Sequence, residues 1–207
     1  MHMVRVRPYG AWVSPITSDL IVSETVSLGQ IVLDGNYIYW SESRPADDGR
    51  NVIVRWSPDG KTDDLTPQPF NVRTRVHEYG GGAYTVSDNT IYFSNFADQG
   101  LNQQRPDLVP QPLTRGTERR YADTVVDTFR NRLICVREDH TASEGEPVNT
   151  IIAVGLDHEK EEQVLVTGND FYAAPRISPD GSSLAWLTWN HPNLPWDGTE
   201  LWAGEIQ

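Results

Sequence analysis

The sequence is short of cysteine, of positive charge and of long apolar runs. A single cysteine, Cys135, leaves no internal disulfide framework possible. It lies within Leu133-Ile134-Cys135-Val136, which reads as the interior of a strand, so a buried inert thiol is expected rather than a nucleophile. No apolar stretch approaches the roughly 18 residues that span a bilayer, and the N-terminus lacks a signal-peptide hydrophobic region. A cytoplasmic protein is expected. With 17 Lys and Arg against 29 Asp and Glu, the net charge is −12. That argues against nucleic acid and against an anionic membrane surface as partners, since both need a basic face. The acidity is read as a solubility feature.

Helical periodicity is also missing. No segment keeps a 3.6-residue apolar repeat over ten or more residues, so very little helix is expected. What the chain has instead is turn residues and aromatics. Sixteen glycines and fourteen prolines punctuate short β-branched and aromatic runs, and seven Trp and eight Tyr are available to fill a β core.

Those runs repeat. Tyr37-Ile38-Tyr39-Trp40, Thr90-Ile91-Tyr92-Phe93, Arg132-Leu133-Ile134-Cys135 and Ser183-Leu184-Ala185-Trp186 recur at the spacing of a propeller blade, about 40–50 residues. Each follows another apolar segment across a turn: Asp34-Gly35-Asn36, Ser87-Asp88-Asn89, the less typical Asp127 to Asn131, and Ser178-Pro179-Asp180-Gly181. Such turns supply the positive φ of hairpins. Third strands are expected at Val52–Trp56, weakly near Gln99–Gln103, at Thr150–Leu156 and at Glu200–Ile206. Outer strands are expected at Asp64–Thr66, Pro112–Thr114 and Gln163–Thr167, with none in the fourth unit. Ser43–Asn51, Pro67–Arg75 and His140–Asn149 read as loops, and His158 to Glu162 as a solvated hairpin tip.

A meander of this kind cannot bury both faces alone, and radial stacking does so. The fold expected is all-β: a partial β-propeller of about four four-stranded blades forming one domain over 1–207, with blades near 27–66, 76–116, 119–168 and 170–207. The unfinished last unit predicts an open arc and a shortened chain, with an apolar blade edge open to self-association.

Chemical motifs are absent. There is no Gly-x-Ser-x-Gly elbow, no Gly-x-x-x-x-Gly-Lys loop and no Gly-x-Gly-x-x-Gly fingerprint. Gly80-Gly81-Gly82 precedes a strand and offers no helix N-terminus to phosphate. His77, His140, His158 and His191 stand singly, without His-x-x-x-His or Cys-x-x-Cys spacing, so no metal and no cofactor is expected.

Two segments remain as candidate sites. In Arg75-Val76-His77-Glu78-Tyr79-Gly80-Gly81-Gly82, the glycines let a backbone or a ligand approach closely. Arg75, His77, Glu78 and Tyr79 are either a polar cluster at the channel mouth or structural groups beside tightly packed inner strands. In Asn190 to Trp202, two prolines stiffen a loop from which Trp196 projects. Asn190, His191, Trp196 and Asp197 either grip a peptide or a partner domain, or belong to a loop folded over its own blade with Asp197 as a turn cap.

These two segments, with Ser178–Gly181 and the opening Pro8-Tyr9-Gly10-Ala11-Trp12-Val13-Ser14-Pro15-Ile16, resemble the N-terminal propeller of the prolyl oligopeptidase family. The likeness is to its acylaminoacyl-peptidase and dipeptidyl-aminopeptidase-like branch, and it runs from about residue 8 to the end. It implies a propeller that restricts access to a separate α/β-hydrolase domain carrying Ser, Asp and His. The chain departs from the family in having about half a propeller and no hydrolase domain, so no catalytic residue carries over. The function implied is a non-catalytic propeller that gates the access of short peptides and anchors them, with the hydrolase domain and peptide substrates as partners. Two alternatives stay open: a stand-alone propeller that binds peptide or protein, and a metal-dependent propeller lactonase.

Overall fold

A computed structural model describes residues 6–22, 25–142, 145–157 and 162–206. Four antiparallel sheets follow one another along the chain. Blade 1 is β1 (Ser27–Asp34), β2 (Tyr37–Arg44), β3 (Arg50–Trp56) and β4 (Thr62–Asp64). Blade 2 is β5 (Tyr84–Ser87), β6 (Thr90–Ser94), β7 (Leu101–Gln104) and β8 (Gln111–Pro112). Blade 3 is β9 (Arg119–Asp127), β10 (Arg132–Asp139), β11 (Val148–Gly155) and β12 (Glu162–Val166). Blade 4 is β13 (Phe171–Ile177), β14 (Ser183–Trp189) and β15 (Glu200–Glu205), three strands in that order. Among the described residues helix is confined to α1 (Ser18–Val22), α2 (Pro195–Gly198) and a single turn at Pro45–Asp47. Among the described residues no helix is long and apolar enough to cross a membrane.

The blades stack through their first strands, β1 on β5, β5 on β9 and β9 on β13. Strand alternation builds a separate core at each junction. Tyr39, Ile53, Tyr84, Ile91 and Phe93 fill the space between blades 1 and 2. Tyr92, Leu101, Leu133, Cys135 and Ile152 fill that between blades 2 and 3. Ile134, Val136, Ile151, Tyr172 and Trp186 fill that between blades 3 and 4. The run Leu133–Val136 is apolar at every position because alternate residues enter two different cores. Burial pushes the Cys135 thiol far above its ordinary pKa, with nearby Glu162 adding to the effect. The end blades have only one neighbour each. Leu28, Ile31 and Leu33 on β1, and Leu201 on β15, are all more than two-thirds exposed.

Both Ser-Pro-Asp-Gly copies close as turns, the glycine N–H donating to the serine carbonyl at 2.9 Å (Gly60 to Ser57) and 2.8 Å (Gly181 to Ser178). Elsewhere the structure corrects the sequence reading. The outer strands lie one to two residues earlier than expected, because β4 is three fully exposed residues with no apolar signal. Leu65 and Thr66, read as strand, instead cap β3: the Leu65 N–H donates to the Ile53 carbonyl, and the Thr66 hydroxyl accepts the Ile53 N–H. Ser43–Asn51 is no long loop, since β2 and β3 pair as far as Arg44 and Arg50. The Asn190–Trp202 loop contains the helical turn α2. Of His158 to Glu162, residues 158–161 lie outside the described residues. Glu162 is no solvated tip: it opens β12, binds Arg137 at 2.8 Å and Arg119 at 3.2 Å, and accepts the Tyr121 hydroxyl at 2.6 Å.

Three first strands carry the same irregularity. Gln30-Ile31 oppose Trp40, Asp123-Thr124 oppose Cys135, and Ala174-Pro175 oppose Trp186. Each is a bulge of two residues against one, whose first residue has positive φ: 33° at Gln30, 56° at Asp123 and 49° at Ala174. Blade 2 has glycines just before β5 instead.

Candidate functional site

Because strands alternate in direction, each blade places its second-to-third connection, and the passage to the next blade, at one end of the arc. The tight turns lie at the other end. Long connections on a rigid scaffold are where binding groups concentrate. At this end a cleft of about 540 Å³ opens among four of them. His77 and Glu78 come from the passage between blades 1 and 2. Glu138, His140 and Asn149 come from blade 3, Asp170 and Phe171 from the passage to blade 4, and His191 from blade 4.

The two candidate segments, more than a hundred residues apart, therefore meet. Phe171 joins them: the His77 ring sits edge-on to it at 5.2 Å and the His191 ring at 4.9 Å. Trp189 stacks on Phe171 at 5.4 Å and meets His77 at 5.6 Å. Such pairs add to what simple burial contributes.

The turn carrying His77 and Glu78 has both residues at positive φ, 54° and 64°. That conformation is uncommon outside glycine and costs energy that neighbouring contacts offset. One such contact is Glu138, buried on β10. Its carboxylate accepts the His77 N–H at 2.6 Å and binds Arg120 at 3.0 Å, and the His140 ring lies against it. Arg120 also reaches the Arg75 carbonyl at 2.9 Å and Glu78 at 2.6 Å. The Arg120 guanidinium holds the Glu78 carboxyl below its usual range.

The remaining candidates are placed differently. The Arg75 side chain lies over Phe96 at 5.4 Å, and its N–H donates to Gln99, away from the cleft. Tyr79 lies on the other side of His77, where it lines a smaller apolar cavity of about 330 Å³ with Tyr172, Trp189 and Pro195. The Asn190 side chain accepts the Asp170 N–H at 2.7 Å, and Asp170 accepts the His191 N–H at 2.8 Å, which fastens the loop to the rim. Asp197 accepts the Leu194 N–H at 3.1 Å within its own helical turn. Trp196 is 78% exposed and lines neither cavity.

Sequence reading missed Glu138, Asn149, Asp170 and Phe171. The signal for Glu138 was a charged Arg137-Glu138-Asp139 ending to an otherwise apolar strand, since a buried charge marks a partner. Two buried polar atoms of cleft-lining residues, His77 Nε2 and Asn149 Oδ1, make no hydrogen bond of normal geometry, although the Asn149 side chain stands close enough to His77 to favour the protonated imidazole. Among the described residues no three His, Cys, Asp or Glu side chains converge so as to hold a metal ion.

Burial holds the His77 imidazole below its ordinary pKa, against the opposing pull of Glu138, the Asn149 side chain and Asp123. The folded protein therefore resists a proton that the unfolded chain accepts near pH 6.5, roughly the ordinary imidazole value. The unfolded state binds more protons below that pH, so this contribution is lost as pH falls through it. In urea unfolding, the protein is expected to lose more stability between about pH 7.5 and 5.5 than a His77→Gln variant. Equal losses would show that His77 is not the group responsible.

No family model matches this chain, and neither does any curated protein. Solved structures do. Puromycin hydrolase matches over 99% of the chain at 34% identity with a TM-score of 0.87. A Mycobacterium tuberculosis puromycin-hydrolyzing peptidase matches over 97% at 35% identity with a TM-score of 0.82. The chain covers 34% and 33% of those two proteins, about a third of their length. TolB from Acinetobacter baumannii, at 12% identity and a TM-score of 0.60, shares the propeller fold alone.

Proposed function

Because the chain belongs to the prolyl oligopeptidase family, as a propeller portion of it, we propose that it is the non-catalytic propeller of a serine peptidase acting on short peptides. Under this reading the cleft admits and anchors a peptide on its way to a separate α/β-hydrolase domain. That domain would supply Ser, His and Asp for acyl transfer. One observation carries the reading: likeness to two puromycin-hydrolysing proteins extends over essentially the whole chain at about a third identity. The cleft is consistent with it. The His77, Phe171 and His191 rings would pack against an apolar side chain, and the polar groups of Asn149 and Asp170 on the same lining would meet a peptide backbone. The hydrolase domain and the peptide are the partners proposed. The exposed faces of β1 and β15 are where a second copy would associate.

The test has two arms. Chromogenic aminoacyl and acyl-aminoacyl substrates are expected to stay intact with the purified chain, and turnover that co-purifies with it would overturn the non-catalytic assignment. In amide NMR titrations, short peptides are expected to shift the resonances of His77, Asn149, Phe171 and His191. Absence of shifts at those residues would remove the anchoring role.

A further inference from the structure

We propose that Asp123 is the positioning residue that assembles the cleft from its two halves. Its carboxylate spans three consecutive blades. Oδ1 accepts the Gly82 N–H of the passage into blade 2 at 2.6 Å, and Oδ2 accepts the Ala174 N–H of blade 4 at 2.8 Å. The Asp123 N–H completes the junction by donating to the Gly82 carbonyl at 2.8 Å. Gly82 closes the segment that carries His77, Glu78 and Tyr79. Ala174 follows Phe171 by three residues on β13. One side chain thus fixes both backbones from which the facing rings project.

The geometry explains the glycines. A Cβ on Gly82 would stand 2.9 Å from Asp123 Oδ1, and one on Gly81 would stand 3.1 Å from the same oxygen and from the Ala122 Cβ. Neither glycine has positive φ, so space rather than backbone conformation requires them. The blade 1 bulge works on the same plan. Gln30 accepts the Ala83 N–H at 3.1 Å and donates to the Tyr84 carbonyl, while the Tyr84 hydroxyl donates back to the Gln30 carbonyl. Blade 2 has no side chain to offer at this level, and Asp123 therefore serves both junctions of blade 3, with blade 2 and with blade 4. This role does not depend on which ligand the cleft takes.

The readout is the ring-proton chemical shifts of His77 and His191 in the full chain, recorded above the titration range of both rings. Phe171 and Trp189 displace these shifts through ring currents. Asp123→Ala is expected to abolish the displacement at His77. Asp123→Asn, which keeps one acceptor oxygen for two amide donors, is expected to reduce it and serves as the readout if the alanine variant does not fold. Asp34→Ala is the control. Asp34 joins blades 1 and 2 at the opposite end by accepting the Asp88 and Asn89 N–H groups, so its loss should destabilise the fold while leaving the His77 shifts in place. Gly82→Ala should reproduce the Asp123 effect in the parent and add nothing in an Asp123→Asn background beyond a small residual. Unchanged His77 shifts in both Asp123 variants, or equal changes with Asp34→Ala, would overturn the assignment.

Discussion

Replacing Glu138 by alanine is expected to cost about 3–5 kcal/mol of stability, the usual consequence of removing one partner from a buried ion pair. Glu138 is 2% exposed and meets three donors from three parts of the chain: Arg120 on β9, the His77 N–H, and the His140 ring. Arg120 faces Glu138 directly across the β9–β10 register. Without the carboxylate, the guanidinium keeps, among the described residues, only Glu78, which is exposed and screened, as a charged partner. The His77 N–H is left without its acceptor, and the positive-φ turn at 77 and 78 loses one of the contacts that hold it. For a chain of this size the loss corresponds to a melting temperature lower by roughly 6–20 °C. Glu138→Gln keeps an acceptor without the charge and should fall between. Urea and thermal unfolding measure both. A loss below about 1 kcal/mol for the alanine variant, the range of an exposed pair, would mean that the site is held by something else.

Trp189→Ala should be comparably severe, at about 3–5 kcal/mol, because a large buried aromatic leaves a cavity that the blade cannot close. Trp189 is 5% exposed. It lies between the two cavities, stacked on Phe171 and edge-on to His77, and lines the smaller one. Trp189→Phe retains a ring for the stack and should lose markedly less. Beyond stability, the alanine variant should lose the near-ultraviolet circular dichroism that comes from the stacked pair. Peptide-induced shifts at Phe171 and His191 should vanish with it. A folded Trp189→Ala protein with parental peptide shifts would contradict the role given to this ring.

The blades were legible because their central strands carry two periodic signals at once. Leu133 and Cys135 face one neighbour and Ile134 and Val136 the other, so the strand announces itself as doubly buried. The outer strands were displaced because β4 and β8 are short and exposed, and nothing in Thr62–Asp64 or Gln111–Pro112 marks a buried face. The two site segments stood out through unusual composition, glycines in one and tryptophan with proline in the other. Their meeting did not, since it is made by Phe171, Glu138 and Asp123, residues ordinary for a strand. Asp123 in Ala122–Val126 reads as one more outward polar position. Its value comes from amides about forty and fifty residues away in the chain, which no local pattern encodes.

The repeated bulges bear on how such an arc can vary. A blade here is not a tile that can be exchanged for its neighbour, since each first strand is cut to fit the next. Gln30 reaches forward, Asp123 reaches both ways, and the glycines before β5 yield the room. A duplicated or transplanted blade would bring a side chain where its new neighbour needs a gap, or a gap where it needs an acceptor. Sequence change at this level must therefore come in matched pairs across a seam, although the seams themselves are filled with apolar side chains, aliphatic and aromatic, most of which make no such directional bonds.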